Sequence, residues 1–76
     1  MKNYVEVTAV FDLEGRIIPR EIKFGDERFA VDRVMDIRPA ASLKSGGAGI
    51  RYKCSIMGRL SYLFLEDTKW FLELAE

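Results

Sequence analysis

The chain has 76 residues, no histidine, one cysteine, and 12 cationic against 12 acidic side chains. A chain of this length forms one domain with one small core. The absence of histidine excludes Ser-His and Cys-His nucleophile arrangements and histidine metal sites, and one cysteine cannot build a thiolate cage. We therefore expect a protein that is not an enzyme and that uses neither a metal nor a cofactor.

The lone Cys54 cannot form an internal disulfide, which is typical of a reducing compartment, so we expect a cytoplasmic protein. The first residues alternate polar and apolar and contain no signal peptide. No segment approaches the roughly 20 apolar residues that a membrane span needs. Because the chain starts at Met1 and shows no linker or tail, we expect a complete, single β-domain over 1–76 without a membrane partner.

Apolar residues with a period of two predict a first strand over 4–11, with a buried face formed by Val5, Val7, Ala9 and Phe11. The segment Asp12–Gly15 is typical of a type I turn in which the glycine takes a positive φ. The chain then reverses into a second strand over 16–24.

Pro19 lacks a backbone donor, so the second strand must have an edge or a bulge there. On either side of Pro19, the side chains of Ile18, Ile22 and Phe24 are predicted to share one face of this strand. Residues 25–27 form the next reversal. A third strand over 28–38 loses its alternation around Asp32 and Arg33, which indicates a bulge in a long, bent strand shared by both halves of a barrel.

Residues 39–49 are predicted to be irregular, and the clearest alternation follows over 50–56, where Cys54 lies on the buried face. Residues 57–60 are typical of a two-residue hairpin with glycine first, a type II′ turn. A fifth strand over 60–66 follows. The last segment, which contains Trp70, is predicted to be a strand, with a helix as the alternative.

Six strands in hairpin order predict an all-β fold, an antiparallel meander. Closure into a small SH3-like or related barrel removes the exposed strand edges most simply. The alternative is an open, curled sheet that pairs with a second copy. In both arrangements we expect the large ring of Trp70 to be buried.

The middle of the chain is basic although the whole is neutral. Between Arg33 and Arg59, Asp36 is the one acid. It is accompanied there by six cations: Arg33, Arg38, Lys44, Arg51, Lys53 and Arg59. Cationic side chains beside glycine-rich backbone can hold an anion.

The glycine-rich run 46–49 matches a bare G-x-x-G, but the corresponding loop of KH domains lies between helices, whereas this run leads into a strand. It is not a P-loop either, because Lys44 precedes the glycines and no helix follows. Two interpretations remain, a flexible connection and a mobile loop whose amides bind an anion. The candidate anion or nucleic-acid ligands are Arg38, Lys44, Gly46, Gly47, Gly49, Arg51 and Lys53.

The run from Arg33 to Tyr52 and the ending Asp67-Thr68-Lys69-Trp70-Phe71 resemble short uncharacterised bacterial all-β proteins of unknown function. The resemblance implies a small β-domain. It brings no catalytic motif.

Two functions stay open. The first is a non-enzymatic interaction module or homodimer, in which acidic ends and a basic middle complement one another between copies. The second is nucleic-acid binding by the basic segment 33–59, with Tyr4 or Tyr62 available for base stacking. Neutral net charge favours the first, because nucleic-acid domains are usually basic overall.

Overall fold

The structure, a computed structural model, describes residues 3–41 and 48–74. All of the regular elements in these ranges are strands: β1 (Asn3–Phe11), β2 (Ile17–Phe24), β3 (Glu27–Ala41), β4 (Ala48–Ile56), β5 (Arg59–Glu66) and β6 (Lys69–Leu74). The all-β prediction is confirmed, and the C-terminal segment is a strand. No helix in the described ranges is long and apolar enough to cross a membrane.

The strands close into a barrel. Each pairs antiparallel with the next, and β6 returns to β1. The closing pairs are Asn3 with Leu72, Tyr4 with Phe71 and Val5 with Trp70. The predicted barrel is therefore confirmed, and the open curled sheet is excluded.

The core fills the barrel with side chains from alternate strand positions. Its buried members are Ile22, Tyr52, Cys54, Ile56, Leu63, Leu65 and Trp70. The rings of Tyr52 and Trp70 pack with centroids 5.2 Å apart. The Tyr52 hydroxyl donates a hydrogen bond of 2.6 Å to the carbonyl of Ile17, which ties β4 to β2 across the interior. The expected burial of Cys54 and Trp70 is confirmed.

A bulge interrupts β2 beside Pro19, as predicted. Thr8 pairs with Glu21 and Ala9 with Pro19, so Arg20 is the extra residue. This shift puts Pro19 and Ile22 inside. The predicted shared face was wrong in two places. Because the bulge changes the alternation, Ile18 is out of phase with Ile22 and pairs with the exposed Val10. Phe24 keeps the alternation of Ile22 but lies at the end of β2 and is exposed.

Phe11 is also misplaced by simple alternation. It was expected in the core but is 74% exposed. At this end β1 pairs with β2 alone, since its pairing with β6 stops at Val5. The β1–β2 hairpin therefore extends past the closed part of the barrel.

The long strand β3 belongs to both halves of the barrel, as predicted. Residues 27–30 pair with β2, and Val31 to Ala41 pair with β4. The register shifts between Val31 and Arg33, at the predicted bulge, and again between Val34 and Asp36. These two irregularities let one strand bend between the two halves of the barrel.

The turns follow the glycines, with one correction. Gly15 takes a φ of 82°, as the predicted turn requires. In the hairpin between β4 and β5, Met57 and Gly58 both have positive φ, 52° and 73°. The turn is therefore type I′ with glycine second, and the predicted type II′ turn was wrong. The Asp32 carboxylate accepts a 3.0 Å hydrogen bond from the Gly58 amide and fixes this turn.

Candidate nucleic-acid interface

The predicted loop between the third and fourth strands is shorter than expected. β3 continues to Ala41 and β4 begins at Ala48, so Pro39 pairs with Ile50 and Ala40 with Gly49. Three candidate ligands, Lys44, Gly46 and Gly47, lie outside the described residues. The anion-binding loop therefore remains a hypothesis for those three.

Gly49 lies in a strand and not in the predicted loop. It lies within β4, paired on one side with Ala40. A Cβ atom at Gly49 would lie 2.8 Å from the carbonyl oxygen of Leu65, closer than real Cβ contacts. Glycine is present here because the backbones of β4 and β5 approach closely. The prediction that Gly49 lies in an irregular segment was wrong, and its contact with an anion stays a prediction.

The other three candidates come together on the outside of the barrel. Arg51 and Lys53 alternate with the buried Tyr52 and Cys54, so they point outward from β4. On β3, Arg38 lies directly opposite Arg51. The fold thus brings three cations together on two neighbouring strands.

Aromatic residues continue this row of side chains across the next strands. Arg51 pairs with Phe64 on β5, Phe64 with Phe71 on β6, and Phe71 with Tyr4 on β1. Two residues after Arg51 on β4, Lys53 pairs with Tyr62 on β5. We call this surface the basic-aromatic face; its members are Arg38, Arg51, Lys53, Tyr62, Phe64, Phe71 and Tyr4. Phe71 is covered by its neighbours and is 7% exposed.

The rings of this face are ordered against one another. Phe64 and Phe71 stack with centroids 4.7 Å apart and an interplanar angle of 4°. Tyr4 meets Phe71 edge-on at 6.1 Å, and Tyr4 is 52% exposed. The Arg51 guanidinium lies over the Tyr62 ring, 5.0 Å from its centroid. Such cation–π contacts hold a guanidinium in place without neutralising it.

Few carboxylates neutralise the cations of the face. The Arg38 Nε donates to Asp36 at 2.6 Å. Among the residues that the structure describes, Arg51 and Lys53 form no ion pair, and the buried Nε of Arg51 has no hydrogen-bond partner. The charge of these two side chains is therefore available to an external anion.

Cys54 is unsuited to nucleophilic chemistry. It is fully buried, and burial raises the pKa of its thiol to about 11. The thiolate that reacts as a nucleophile is therefore scarce at neutral pH. Within residues 3–41 and 48–74, no group of three or more acidic, histidine or cysteine side chains could hold a metal ion.

Sequence reasoning found the cations but missed the contribution of Phe64 and Phe71. The tight turns of the sequence contain the information that places these two rings in one row with Arg51. A two-residue hairpin at 57–58 fixes the pairing of β4 with β5 and so places Phe64 opposite Arg51. A second hairpin at 67–68 places Phe71 opposite Phe64.

The comparisons with known proteins give one partial similarity. No protein-family model matches the chain, and no solved structure matches it. The small ribosomal subunit protein uS3 of Rickettsia akari (strain Hartford) is 33% identical over 73 residues, which cover 92% of this chain and 33% of that protein. The chain thus spans about a third of the length of the curated relative it matches.

Proposed function

We propose that this protein binds nucleic acid, and RNA in particular, on the basic-aromatic face. The observation that carries the proposal is the register of β3 to β6, which aligns Arg38, Arg51, Phe64 and Phe71 in one row. Nucleic acid offers phosphates to guanidinium groups and base faces to aromatic rings. A surface that presents both side by side suits this ligand.

The proposed role is binding and not catalysis. Side chains such as Leu63 and Trp70 fill the barrel interior, so a ligand has to lie on the outer surface. The chemistry of Cys54 supports the same conclusion, because its raised pKa keeps the thiol protonated. We propose no cofactor for this function.

The similarity to uS3 supports RNA as the class of nucleic acid. The name of that protein assigns it to the small ribosomal subunit, and ribosomal subunits are assemblies of RNA and protein. A 33% identity across most of this chain is consistent with a shared type of ligand. By the same reasoning, we propose that the protein works where RNA is present in the cytoplasm.

Neutral net charge does not weigh against this proposal once the charges are placed in the fold. Two cations outside the face are paired with carboxylates: Arg16 contacts Asp12 at 2.8 Å, and Arg28 contacts Glu21 at 3.0 Å. The field of a surface depends on local pairing more than on the total count.

The proposal can be tested with a fluorescently labelled oligouridine RNA and anisotropy titrations at several salt concentrations. We expect binding that weakens steeply with salt. The triple variant Arg38→Gln, Arg51→Gln, Lys53→Gln should lose most of the affinity. Its log–log salt slope should become shallower by about 2, since each phosphate contact on a single strand contributes about 0.7.

A matched control is the triple variant Arg16→Gln, Arg20→Gln, Lys23→Gln, which changes the net charge equally on the other side of the barrel. It should retain most of the binding. Equal losses in the two variants would show nonspecific attraction and contradict the assignment of the face. The absence of binding at low salt, where ionic contacts are strongest, would refute the proposed function.

A second candidate function is self-association through the β1–β2 hairpin. Val10, Phe11 and Leu13 are exposed near its tip, and Leu13 is fully so. Exposed apolar clusters often mark contact surfaces. Multi-angle light scattering would test it: a dimer that Phe11→Ser with Leu13→Ser converts to a monomer supports this candidate, and a monomer at every concentration refutes it.

A further inference from the structure

Two arginines of the basic-aromatic face oppose one another directly. Arg38 on β3 and Arg51 on β4 are cross-strand partners, and like charges in such positions destabilise a sheet. Asp36 contacts the Nε of Arg38, whereas no carboxylate of the described residues pairs with Arg51. An anion held between the two guanidinium groups would offset this repulsion.

Arg51 is held in place before any ligand arrives. Its side chain is half-buried, its Nε is buried, and its guanidinium lies 5.0 Å from the Tyr62 ring centroid. A restrained side chain loses less conformational freedom on binding. The planar guanidinium fork matches the oxygens of a phosphate better than an ammonium group does.

The aromatic rings beside Arg51 determine which form of nucleic acid fits. Tyr62 and Phe64 are half-buried and retain exposed surface, and Phe64 is backed by its stack with Phe71. Rings on a protein surface stack on the faces of unpaired bases. A duplex buries those faces between neighbouring base pairs and offers the surface mainly its phosphates.

We propose that the ligand is an unpaired stretch of nucleic acid, an inference that rests on the proposed function. One phosphate lies between Arg38 and Arg51, and adjacent bases stack on Tyr62 and Phe64. The Arg38–Arg51 pair thus positions the backbone, and the rings select single strands.

The test compares three probes of equal length by anisotropy: single-stranded oligouridine, the same strand annealed to oligoadenosine, and an oligomer with the same phosphates but abasic sugars. The single strand should bind more tightly than the other two. Tyr62→Leu and Phe64→Leu should each weaken single-strand binding roughly 5- to 150-fold, the range for one stacked base. Neither should change binding of the duplex or the abasic probe.

Phe24→Leu is the matched control for the rings, because Phe24 is an exposed aromatic residue on β2, outside the face. It should leave all affinities unchanged. For the phosphate site, Arg51→Lys should weaken binding at an unchanged salt slope, whereas Arg51→Gln should reduce the slope by about 0.7. Thermal melting of each variant confirms that the fold is retained.

The outcomes separate this inference from the proposed function. Equal affinity for the three probes would overturn single-strand selection while nucleic-acid binding stands. An Arg51→Lys variant that binds like the parent would overturn the guanidinium fork as the phosphate site. Failure of all three probes to bind would overturn both the inference and the function on which it rests.

Discussion

In the β1–β2 turn carboxylates hold Arg16, whereas on the basic-aromatic face the central arginine, Arg51, lies beside an aromatic ring. Arg16 contacts Asp12 at 2.8 Å and Glu14 at 3.4 Å. Arg51 instead covers Tyr62. A carboxylate neutralises Arg16, whereas the ring beside Arg51 leaves its positive charge in place.

This difference shows that a neutral chain can present a cationic surface. The position of each charge relative to its partner decides the local field, and the strand register sets that position. The aromatic residues of the two regions also differ in their contacts. Phe11 is exposed near the hairpin tip, whereas Phe64 and Phe71 stack on one another. The strand register therefore places cations and aromatic residues that are far apart in the sequence next to one another on the barrel.

The largest effect should come from the core beneath the two sides. Trp70→Ala removes the ring that packs on Tyr52 and should lower the free energy of unfolding by about 3–5 kcal/mol. In a domain this small, that loss is a large part of total stability. Urea denaturation measures it. Phe11→Ala on the exposed hairpin should change stability by less than about 0.5 kcal/mol. Similar free energies of unfolding for Trp70→Ala and Phe11→Ala would contradict the assigned core.

A smaller effect should follow from crowding between β4 and β5. Gly49→Ala puts a methyl group against the Leu65 carbonyl and should cost about 1–3 kcal/mol. Because it displaces β4 from β5, it should also weaken RNA binding. Gly25→Ala is the control: nothing lies within 4 Å of its added Cβ, and its cost arises from the φ of 63° alone. Normal RNA affinity for the Gly49 variant would show that the register of β4 and β5 does not control the face.

The hydrogen bond that joins β4 to β2 across the interior can be tested at Tyr52. Tyr52→Phe removes the hydrogen bond to the Ile17 carbonyl and should cost about 0.5–1.5 kcal/mol in urea denaturation. Tyr62→Phe should cost less, since no hydrogen bond of its hydroxyl is found within the described part of the chain. A larger loss for Tyr62→Phe would reverse this ranking.

The smallest effect concerns pH and the β1–β2 turn. The backbone N–H of Arg16 donates to the Asp12 carboxylate at 2.8 Å and, with the Arg16 side chain, lowers the pKa of Asp12 below its ordinary value of 3.8. This contribution to stability is present above the unfolded pKa and is lost as the pH falls through the lower, folded pKa. Asp12→Asn should therefore flatten the stability profile below about pH 4. An unchanged acid slope, measured by denaturation across that range, would contradict this origin.

The sequence was sufficient for the strands and for most of their turns, because alternation and glycine positions are local signals. It was insufficient at the β2 bulge, where one extra residue, Arg20, moves Ile18 away from the face of Ile22. It was also insufficient at the end of β2, where Phe24 lies next to the turn and is exposed. The role of Gly49 could not be predicted, since it depends on how closely β5 approaches β4.

The candidate site was also predicted in part. Charge counting found Arg38, Arg51 and Lys53, but it could not show that Asp36 pairs with Arg38 and that Arg51 has no ion pair among residues 3–41 and 48–74. The aromatic row required cross-strand register, which the two tight hairpins encode but which no single segment displays.

The most direct test of the central claim is an amide NMR titration of the protein with single-stranded oligouridine. We expect the shifted amides to cluster at Arg38, Arg51, Lys53, Tyr62 and Phe64. The β1–β2 turn around Asp12 to Arg16 should remain unchanged. Shifts concentrated in that turn, or spread evenly over the barrel, would contradict nucleic-acid binding by the basic-aromatic face.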